Sequence, residues 1–258
     1  MLSSVYLTGS LREPPMPANT DFDTNFDFRS DTPPGRDPDA YSPRLRQYHK
    51  RLWSKPLPSG AVFELVDTTP GVYLHHRSQL GDFRLTSDTV IPTFRKEARI
   101  AHFIEQSAGA LAEFMRIGYT IGAMMLFPGN CIERRMTINA ARGCHPRIKD
   151  RFDLTVECIR RHYLGESSPL GATLARYADF FRLFGDFRGY VEFFLLQDLV
   201  TADCAAVRFF SPFEDFKPWP VPNAAEAYAQ YQAQAVAFIE ARNRRIRAGQ
   251  SSPETTYD

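Results

Sequence analysis

The chain has 258 residues, 43% of them hydrophobic, and a formal net charge of +1. This length allows a large buried core, and the balanced charge excludes binding to nucleic acid through a global basic excess, although a local basic patch remains compatible with it. No uninterrupted apolar run reaches the ~18 residues of a spanning helix, and no charged-then-apolar leader opens the chain. We therefore expect a cytoplasmic protein with no membrane partner.

The first part of the chain is rich in turns and predicted strands. Residues 1–20 are Pro-rich and aperiodic, which predicts a flexible arm. A short helix is predicted over 42–53, with Ser42 as its N-cap and Pro43 at its first position. The remaining patterns predict strands within 61–74, 82–91 and 120–130 and a helix within 94–117.

Helical spacing dominates from residue 150 onward. Predicted helical segments lie within 150–163, 169–184, 190–200 and 224–248, and 249–258 is expected to be a flexible tail. Strands followed by helices favour an α+β fold, with a mostly antiparallel N-terminal sheet and a mainly helical second half packed on it. We expect one catalytic domain over 21–248.

The four cysteines do not form a Cys-x-x-Cys pair; they are Cys131, Cys144, Cys158 and Cys204. Their dispersal argues against a structural zinc ion and favours reduced thiols. The sequence also lacks P-loop, GxGxxG, HExxH, GxSxG and EF-hand patterns. We expect neither a metal nor an organic cofactor.

The stretch FDTNFDFRSDTPPGRDPD combines five Asp and two Arg with three Phe. In an extended chain, Asp27, Arg29 and Asp31 would point to one side and the intervening Phe residues to the other. Two carboxylates around one Arg can hold a water or a substrate hydroxyl; the alternative is a solvated edge strand with an ion-pair ladder. In the loop that follows, Asp37 and Asp39 are either turn formers or catalytic groups.

Two further segments carry groups suited to a nucleotide. In LWSKPLP, Trp53 can stack on a base and Lys55 can contact a phosphate; alternatively, Trp53 packs over a turn and Lys55 is solvated. In YLHHRSQLGDFRLTSD, His75 lies in one strand end, and Ser87 with Asp88 closes the next. This pattern suits a clamp for ribose or nicotinamide, or a hairpin with polar ends.

The stretch TINAARGCHPRIKDR is the most basic one outside the terminal helix. Its Asn139 can read a base edge and its Arg142 a phosphate or guanine, or both can cap and bridge loops. Further on, Gln197 and Asp198 interrupt an apolar segment, where polar groups are costly unless paired. They form either the floor of a site or partners for Arg residues.

The motifs FDFRSDTPPGRDPD, YHKRLWSKPLP, TINAARG and YVEFFLLQDLV resemble those of a widespread bacterial family of unknown function, from about residue 21 to residue 247. The resemblance extends to an anti-phage DNA glycosylase that excises glucosylated hydroxymethylcytosine and leaves an abasic site. It implies that the partner is double-stranded phage DNA with modified bases. It assigns no catalytic residue.

A DNA glycosylase needs a carboxylate, a pocket for a flipped base, a stacking aromatic and backbone-binding cations. The carboxylate is then Asp31, Asp27 or Asp37, and Asn139 reads the base. Substrate contacts are expected from Arg29, Tyr48, Trp53, Lys55, His75, Ser87, Gln197 and Asp198. DNA contacts are expected from Arg36, Arg134, Arg135, Arg142, Arg147 and Lys149.

Two other functions remain open. The YLHH and FRLTSD strands are similar to those of ADP-ribosyltransferases, and in that case His75, Ser87 and Gln197 act on NAD. The other is that of a non-enzymatic nucleic-acid-binding protein, which would use the basic loop and the ARNRRIR end of the terminal helix.

Overall fold

A four-stranded antiparallel sheet organises the described part of the chain, which in this computed structural model comprises residues 22–67, 74–94, 97, 100–106 and 108–250. The strands neighbour each other in chain order: β1 (Val66–Asp67), β2 (Leu74–Ser78), β3 (Gly81–Thr89) and β4 (Met124–Pro128). The register pairs Leu74 with Leu85 between β2 and β3, and Leu85 with Pro128 between β3 and β4. The predicted N-terminal arm and residues 251–258 of the predicted tail lie outside the described residues.

Two capped helices precede the sheet, α1 (Pro38–Tyr41) and α2 (Pro43–Trp53). Asp37 caps α1 by accepting a hydrogen bond from the Asp39 amide at 3.1 Å. Ser42 caps α2 by accepting one from the Leu45 amide at 3.1 Å. A proline opens each helix, where its fixed φ and missing N–H cost nothing. The predicted start of α2 is confirmed.

The segment before α1 is a series of turns, so the extended strand predicted there is wrong. Asp27 accepts hydrogen bonds from the Arg29 amide at 3.0 Å and from the Arg29 Nε at 2.9 Å. Asp31 accepts from the Ser42 hydroxyl at 2.6 Å and from the Arg44 amide at 2.9 Å. Short acidic side chains that bond nearby backbone amides stabilise turns in place of a strand.

Helices make up most of the rest of the described chain. Between β3 and β4 lie α3 (Ala101–Gln106) and α4 (Ala108–Ile117). After β4 come α5 (Ile138–Cys144), α6 (Phe152–Tyr163), α7 (Gly171–Ala175), α8 (Ala178–Arg182), α9 (Phe187–Phe193) and α10 (Ala225–Gln250). Short 3₁₀ turns occupy Ile121–Ala123, Ile132–Arg134 and Gln197–Leu199. This order confirms the predicted α+β class with a mainly helical second half.

The long helix α10 is tied to the start of β4. The buried Arg242 guanidinium donates hydrogen bonds to the carbonyls of Gly122 at 3.0 Å and Met124 at 2.8 Å. Asn243 Oδ1 accepts a hydrogen bond from the Gly122 amide at 2.8 Å. A hydrophobic core cluster extends from Phe22 to Ile246 and so joins sheet and helices. Of the helices in the described residues, none has the length and apolarity needed to cross a membrane.

Candidate functional site

Two carboxyl groups from different elements meet at the end of β3. Asp88 lies on β3, and Asp39 lies on α1. The Thr89 amide donates a hydrogen bond to Asp39 Oδ2 at 3.0 Å, which holds α1 beside the strand. The two carboxyl groups are close enough to affect each other's ionisation, since the charge of Asp88 raises the pKa of Asp39. Asp39 Oδ1 is buried and has no hydrogen-bond partner among the described residues, which disfavours the ionised form of Asp39.

Arg142 on α5 neutralises part of this acidic cluster. Its side chain is fully buried, with Nη1 2.6 Å from Asp88 Oδ2 and 3.0 Å from Asp150 Oδ1. Its Nη2 donates a hydrogen bond to the Asp150 carbonyl at 2.8 Å. One turn earlier on α5, Asn139 Nδ2 donates to Thr86 Oγ1 at 3.0 Å. Thr86 and Asp88 share a face of β3, so α5 presents Asn139 and Arg142 to the same face.

Desolvation raises the pKa values of all three carboxyl groups. Burial, followed by the charge of Asp88, raises the pKa of Asp39 well above its ordinary value. Burial raises the pKa of Asp88 to about 6, although Arg142 opposes the change. Burial likewise raises the pKa of Asp150 against the effect of Arg142. Near neutral pH the proton of the pair therefore resides on Asp39, and Asp88 is ionised.

An open cleft of about 740 Å³ adjoins the carboxyl cluster. Its wall includes Thr89, Glu97, Tyr119, Lys149 and Asp150. Asp88 and Asp150 keep 23% and 34% of their side-chain surfaces exposed, so solvent reaches both. Burial and the charge of Asp39 raise the pKa of Tyr119 to about 12, which keeps its hydroxyl protonated. The cleft has the size of a small-molecule site and has acid–base groups at its wall.

The carboxylates predicted to be catalytic hold local structure together instead of forming one cluster. Asp27 forms a bidentate ion pair with Arg29, whose guanidinium lies 5.2 Å from the centre of the Tyr119 ring. Asp31 accepts hydrogen bonds from Ser42 and Arg44 at the start of α2, and Asp37 caps α1. Catalytic roles for these three stay predictions, but each carboxylate already has a structural partner.

Trp53, Lys55 and Tyr48 each have a hydrogen-bond partner within the protein; Trp53 is buried, and Lys55 and Tyr48 are partly buried. Trp53 is fully buried and donates from Nε1 to His49 Nδ1 at 3.1 Å, so the prediction that it stacks on a base is incompatible with the fold. Lys55 donates from Nζ to the Phe193 carbonyl at 2.6 Å, and burial lowers its pKa to about 8, which disfavours the predicted phosphate contact. The Tyr48 hydroxyl accepts a hydrogen bond from the Asp23 amide at 3.0 Å.

The residues predicted to clamp NAD are not brought together on one face of the sheet. The register pairs His75 with Arg84, so His75 lies on the face opposite to Ser87. Ser87 Oγ is 2.9 Å from His49 Nε2. Because His49 Nδ1 accepts from Trp53, His49 Nε2 carries the proton and donates to Ser87, which leaves the serine unactivated.

The 3₁₀ turn before Val200 carries the other two predicted substrate ligands. Asp198 accepts a hydrogen bond from Arg245 Nε on α10 at 2.5 Å. Gln197 Oε1 is buried and has no hydrogen-bond partner among the described residues. Pairing with an Arg, one of the two alternatives for Asp198, is therefore observed.

The cations predicted to contact DNA divide into buried and exposed groups. Arg142 is fully buried, so the prediction that it contacts a phosphate is wrong. Lys149 lines the cleft and forms an ion pair with Glu97 at 2.8 Å. Arg36 lies 5.0 Å from the centre of the Tyr41 ring. Exposed side chains on the α5 side of the molecule include Arg134, Arg135 and Arg147.

A second, basic groove of about 580 Å³ lies beside α5 and α7. It is lined by Arg134, Arg135, Met136, Ala141, Cys144, His145, Pro146, Pro169, Leu170, Thr173 and Arg176. Arg135 lies 3.7 Å from Glu133, and Arg176 donates to the Met136 carbonyl at 2.8 Å. The groove is therefore a local basic surface on a nearly neutral chain.

Asp88, Asp150 and Tyr119 were not among the predicted site residues, and Asp39 was interpreted, with Asp37, as either a turn former or a catalytic group. The available signals were a polar Ser-Asp pair at the end of β3 and an Asp-Pro-Asp at a helix start. Neither signal says that the two segments meet. Of the predicted catalytic residues, Asn139 lies beside the cluster, and Asp37 is close enough for its charge to raise the pKa of Asp39.

Comparison with known proteins gives a family and no function. Neither the search of curated proteins nor the search of solved structures found a significant match. A family model described as a family of unknown function, DUF6994, matches residues 22–246, which include all four strands. This confirms the expected membership of a family of unknown function. The chain belongs to DUF6994.

Proposed function

We propose that this protein is a DNA glycosylase that hydrolyses the N-glycosidic bond of a modified cytosine in phage DNA and leaves an abasic site. The observation that carries the proposal is the carboxyl cluster of Asp39, Asp88 and Asp150 next to an open cleft: Asp150 and Thr89, the neighbour of Asp88, line the cleft, and Asp39 lines a separate narrow cavity. At neutral pH the pair of Asp39 and Asp88 offers one protonated and one ionised carboxyl, the two states that a dyad of carboxyl groups sharing one proton uses to protonate a leaving group and activate a water. The identity of the base, a glucosylated hydroxymethylcytosine, comes from the resemblance to an anti-phage glycosylase.

The two carboxyl groups have complementary roles in this reaction. Asp39 gives its proton to the departing base as the bond to the sugar breaks. Asp88 stabilises the oxocarbenium-like sugar and takes a proton from the water that adds to it. Asp88 then holds a proton and Asp39 is ionised. Transfer of that proton back to Asp39, directly or through a water, resets the pair.

Neighbouring side chains position the pair and the substrate. Arg142 is buried behind Asp88 and fixes its orientation, so it is a positioning residue. Tyr119 lines a cleft that a flipped nucleotide can enter, and its hydroxyl is protonated and able to donate a hydrogen bond. The exposed Arg134 and Arg135 suit the phosphate backbone.

The test is release of the modified base. Purified protein is incubated with phage DNA that carries glucosylated hydroxymethylcytosine, with unmodified DNA as control and EDTA present, and released bases are measured by mass spectrometry. We expect release from the modified DNA alone, and its loss in Asp39→Asn and Asp88→Asn. The matched control is Asp179→Asn, which removes an exposed carboxylate paired with Arg182. No release by the unaltered protein, or full activity in both Asn variants of the pair, would contradict the proposal.

The basic groove beside α5 favours a second candidate, a nucleic-acid-binding protein without catalytic activity. That function predicts DNA affinity that falls steeply with salt and depends on Arg134 and Arg135. It also predicts no product under any condition. The mass-spectrometric assay and a salt titration of binding together separate the two functions.

A further inference from the structure

We infer that Trp219 is a stacking platform for a nucleobase at the rim of the cleft, and this inference rests on the proposed function because it takes DNA as the ligand. Trp219 is 46% exposed, which is unusual for an indole in a chain with a large core. The Lys149 ammonium, which lines the cleft, lies 4.9 Å from the centre of the indole ring. Trp219 therefore stands beside the cleft, next to a cation.

The backbone holds this indole in place. Trp219 lies between Pro218 and Pro220, whose rings fix φ and reduce the freedom of the segment. The buried Arg151 donates from Nη1 to the Pro220 carbonyl at 3.1 Å, and Arg151 Nε donates to Asp153 at 3.1 Å. Because the exposed ring is carried by an anchored segment, a ligand that stacks on it orders little additional chain.

The chemistry of this rim favours a base attached to a phosphate. An exposed indole offers an aromatic face that any base can stack on, and the neighbouring Lys149 ammonium can meet a phosphodiester if the phosphate displaces Glu97, its ion-pair partner at 2.8 Å. A flipped nucleotide leaves the bases beside it without a stacking neighbour. We assign Trp219 to one of these flanking bases, while the flipped base occupies the cleft. The aromatic predicted for stacking from the sequence, Trp53, is buried and cannot serve.

The two tryptophans give a direct optical test. The chain has two, Trp53 fully buried and Trp219 exposed, so changes in emission on ligand binding report mainly Trp219. The probe is a DNA duplex with one glucosylated hydroxymethylcytosine, titrated into the protein. We expect quenching at saturation in the unaltered protein and none in Trp219→Phe, whose remaining emission comes from Trp53.

Affinity measured independently, by anisotropy of a labelled duplex, completes the test. Trp219→Ala should weaken binding about 10-fold to 100-fold, since stacking on one base contributes on that order. Trp219→Phe keeps an aromatic face and should stay within about threefold of the unaltered protein. Equal affinity in the Ala variant, or unchanged Trp219 emission at saturation, would overturn the inference.

The outcomes also separate this inference from the proposed function. Binding with quenching but without base release would overturn the glycosylase and support the stacking platform. Base release with unchanged KM and affinity in Trp219→Ala would support the glycosylase and overturn the platform. Absence of any DNA binding would overturn both.

Discussion

The Asp39 carboxyl group lies close enough to Asp88 for the charge of Asp88 to raise its pKa, although Asp39 belongs to a short helix and Asp88 to a long strand. Burial is the larger cause of the same rise in pKa, so the buried site and the neighbouring charge both favour the protonated form of Asp39. The Arg142 guanidinium lies 2.6 Å from the Asp88 carboxylate and compensates part of the negative charge of the cluster. A fully ionised pair would place two like charges in contact, so protonation and geometry depend on each other.

Asp39→Asn should reduce base release by at least about 100-fold while the fold is kept. The amide cannot deliver a proton, and general acid catalysis contributes about 10²–10⁴-fold. The amide N–H can still donate to Asp88, so the melting temperature should stay within a few degrees. Single-turnover base release and calorimetry measure the two effects. Activity above half of the unaltered value would exclude Asp39 as the acid.

The rate should depend on pH through the same pair. Base release, measured as kcat/KM, should rise as Asp88 loses its proton near pH 6 and fall at higher pH as Asp39 loses its own. Because the two groups interact, the two limbs report the pair rather than either residue alone. A rate that is flat from pH 5 to pH 8 would contradict this assignment.

Ionisation of Asp88, which should raise the rate of base release, should lower the folding stability. Its pKa rises from 3.8 to about 6 on folding, so its stabilising contribution is complete below about pH 4 and is lost as pH rises through about 6. The full change amounts to about 3 kcal/mol on the order-of-magnitude scale of one pKa unit per 1.4 kcal/mol. Urea unfolding of the unaltered protein and Asp88→Asn at pH 4 and pH 7.5 measures it. The variant should be relatively more stable at pH 7.5 than at pH 4.

Local signals allowed the ends of elements to be predicted, but not the contacts between them. Ser42 and Pro43 mark the start of α2, because a cap and a first-turn proline act within one turn of helix. The alternation of Asp27 and Asp31 suggested a strand, but each bonds backbone amides close to a turn or helix start. Tertiary contact alone brings Asp39 to Asp88, and no periodicity encodes it.

The burial of Arg142 also depends on contacts that the sequence pattern does not reveal. The sequence presents it as one more cation in a basic loop, and its spacing does not distinguish it from the exposed Arg147. The distinguishing fact is the presence of Asp88 and Asp150, which compensate the guanidinium inside the protein. The sequence contains all three residues, but no local pattern in it predicts that they are in contact.

Arg142→Met should be strongly destabilising near neutral pH. It leaves Asp88 and Asp150 without their buried partner, and breaking such a pair typically costs about 3–5 kcal/mol. Urea unfolding at pH 7.5 measures the loss, which should shrink at pH 4.5 as the carboxylates protonate. Arg182→Met serves as the control, because Arg182 is 63% exposed and should change stability by less than about 0.5 kcal/mol. A loss no larger than that of the control would show that Arg142 contributes little.

Removing the exposed cations of the basic groove should weaken DNA binding and reduce its salt dependence. For duplex DNA, each phosphate that the protein no longer neutralises should lower the slope of log K against log salt by about 0.9. The double variant Arg134→Ala with Arg135→Ala should therefore lower the slope by about 1–2 units without changing discrimination between modified and unmodified bases. Arg182→Ala is the matched control. An unchanged slope would place the DNA elsewhere on the surface.

Gly122→Ala should destabilise the contact between α10 and the start of β4. A Cβ at this position would lie 2.5 Å from the Ile239 carbonyl oxygen and 2.6 Å from Asn243 Oδ1, and the first is backbone that cannot move aside alone. The Asn243 hydrogen bond to the Gly122 amide would also be displaced. We expect a loss of about 2 kcal/mol or more in urea unfolding, typical of overpacking combined with the removal of a buried hydrogen bond. The control is Gly249→Ala on α10, where an added Cβ has no atom within 4 Å, so this substitution should be neutral or stabilising. If both variants unfold at the same urea concentration, the close approach at Gly122 does not constrain the packing of α10.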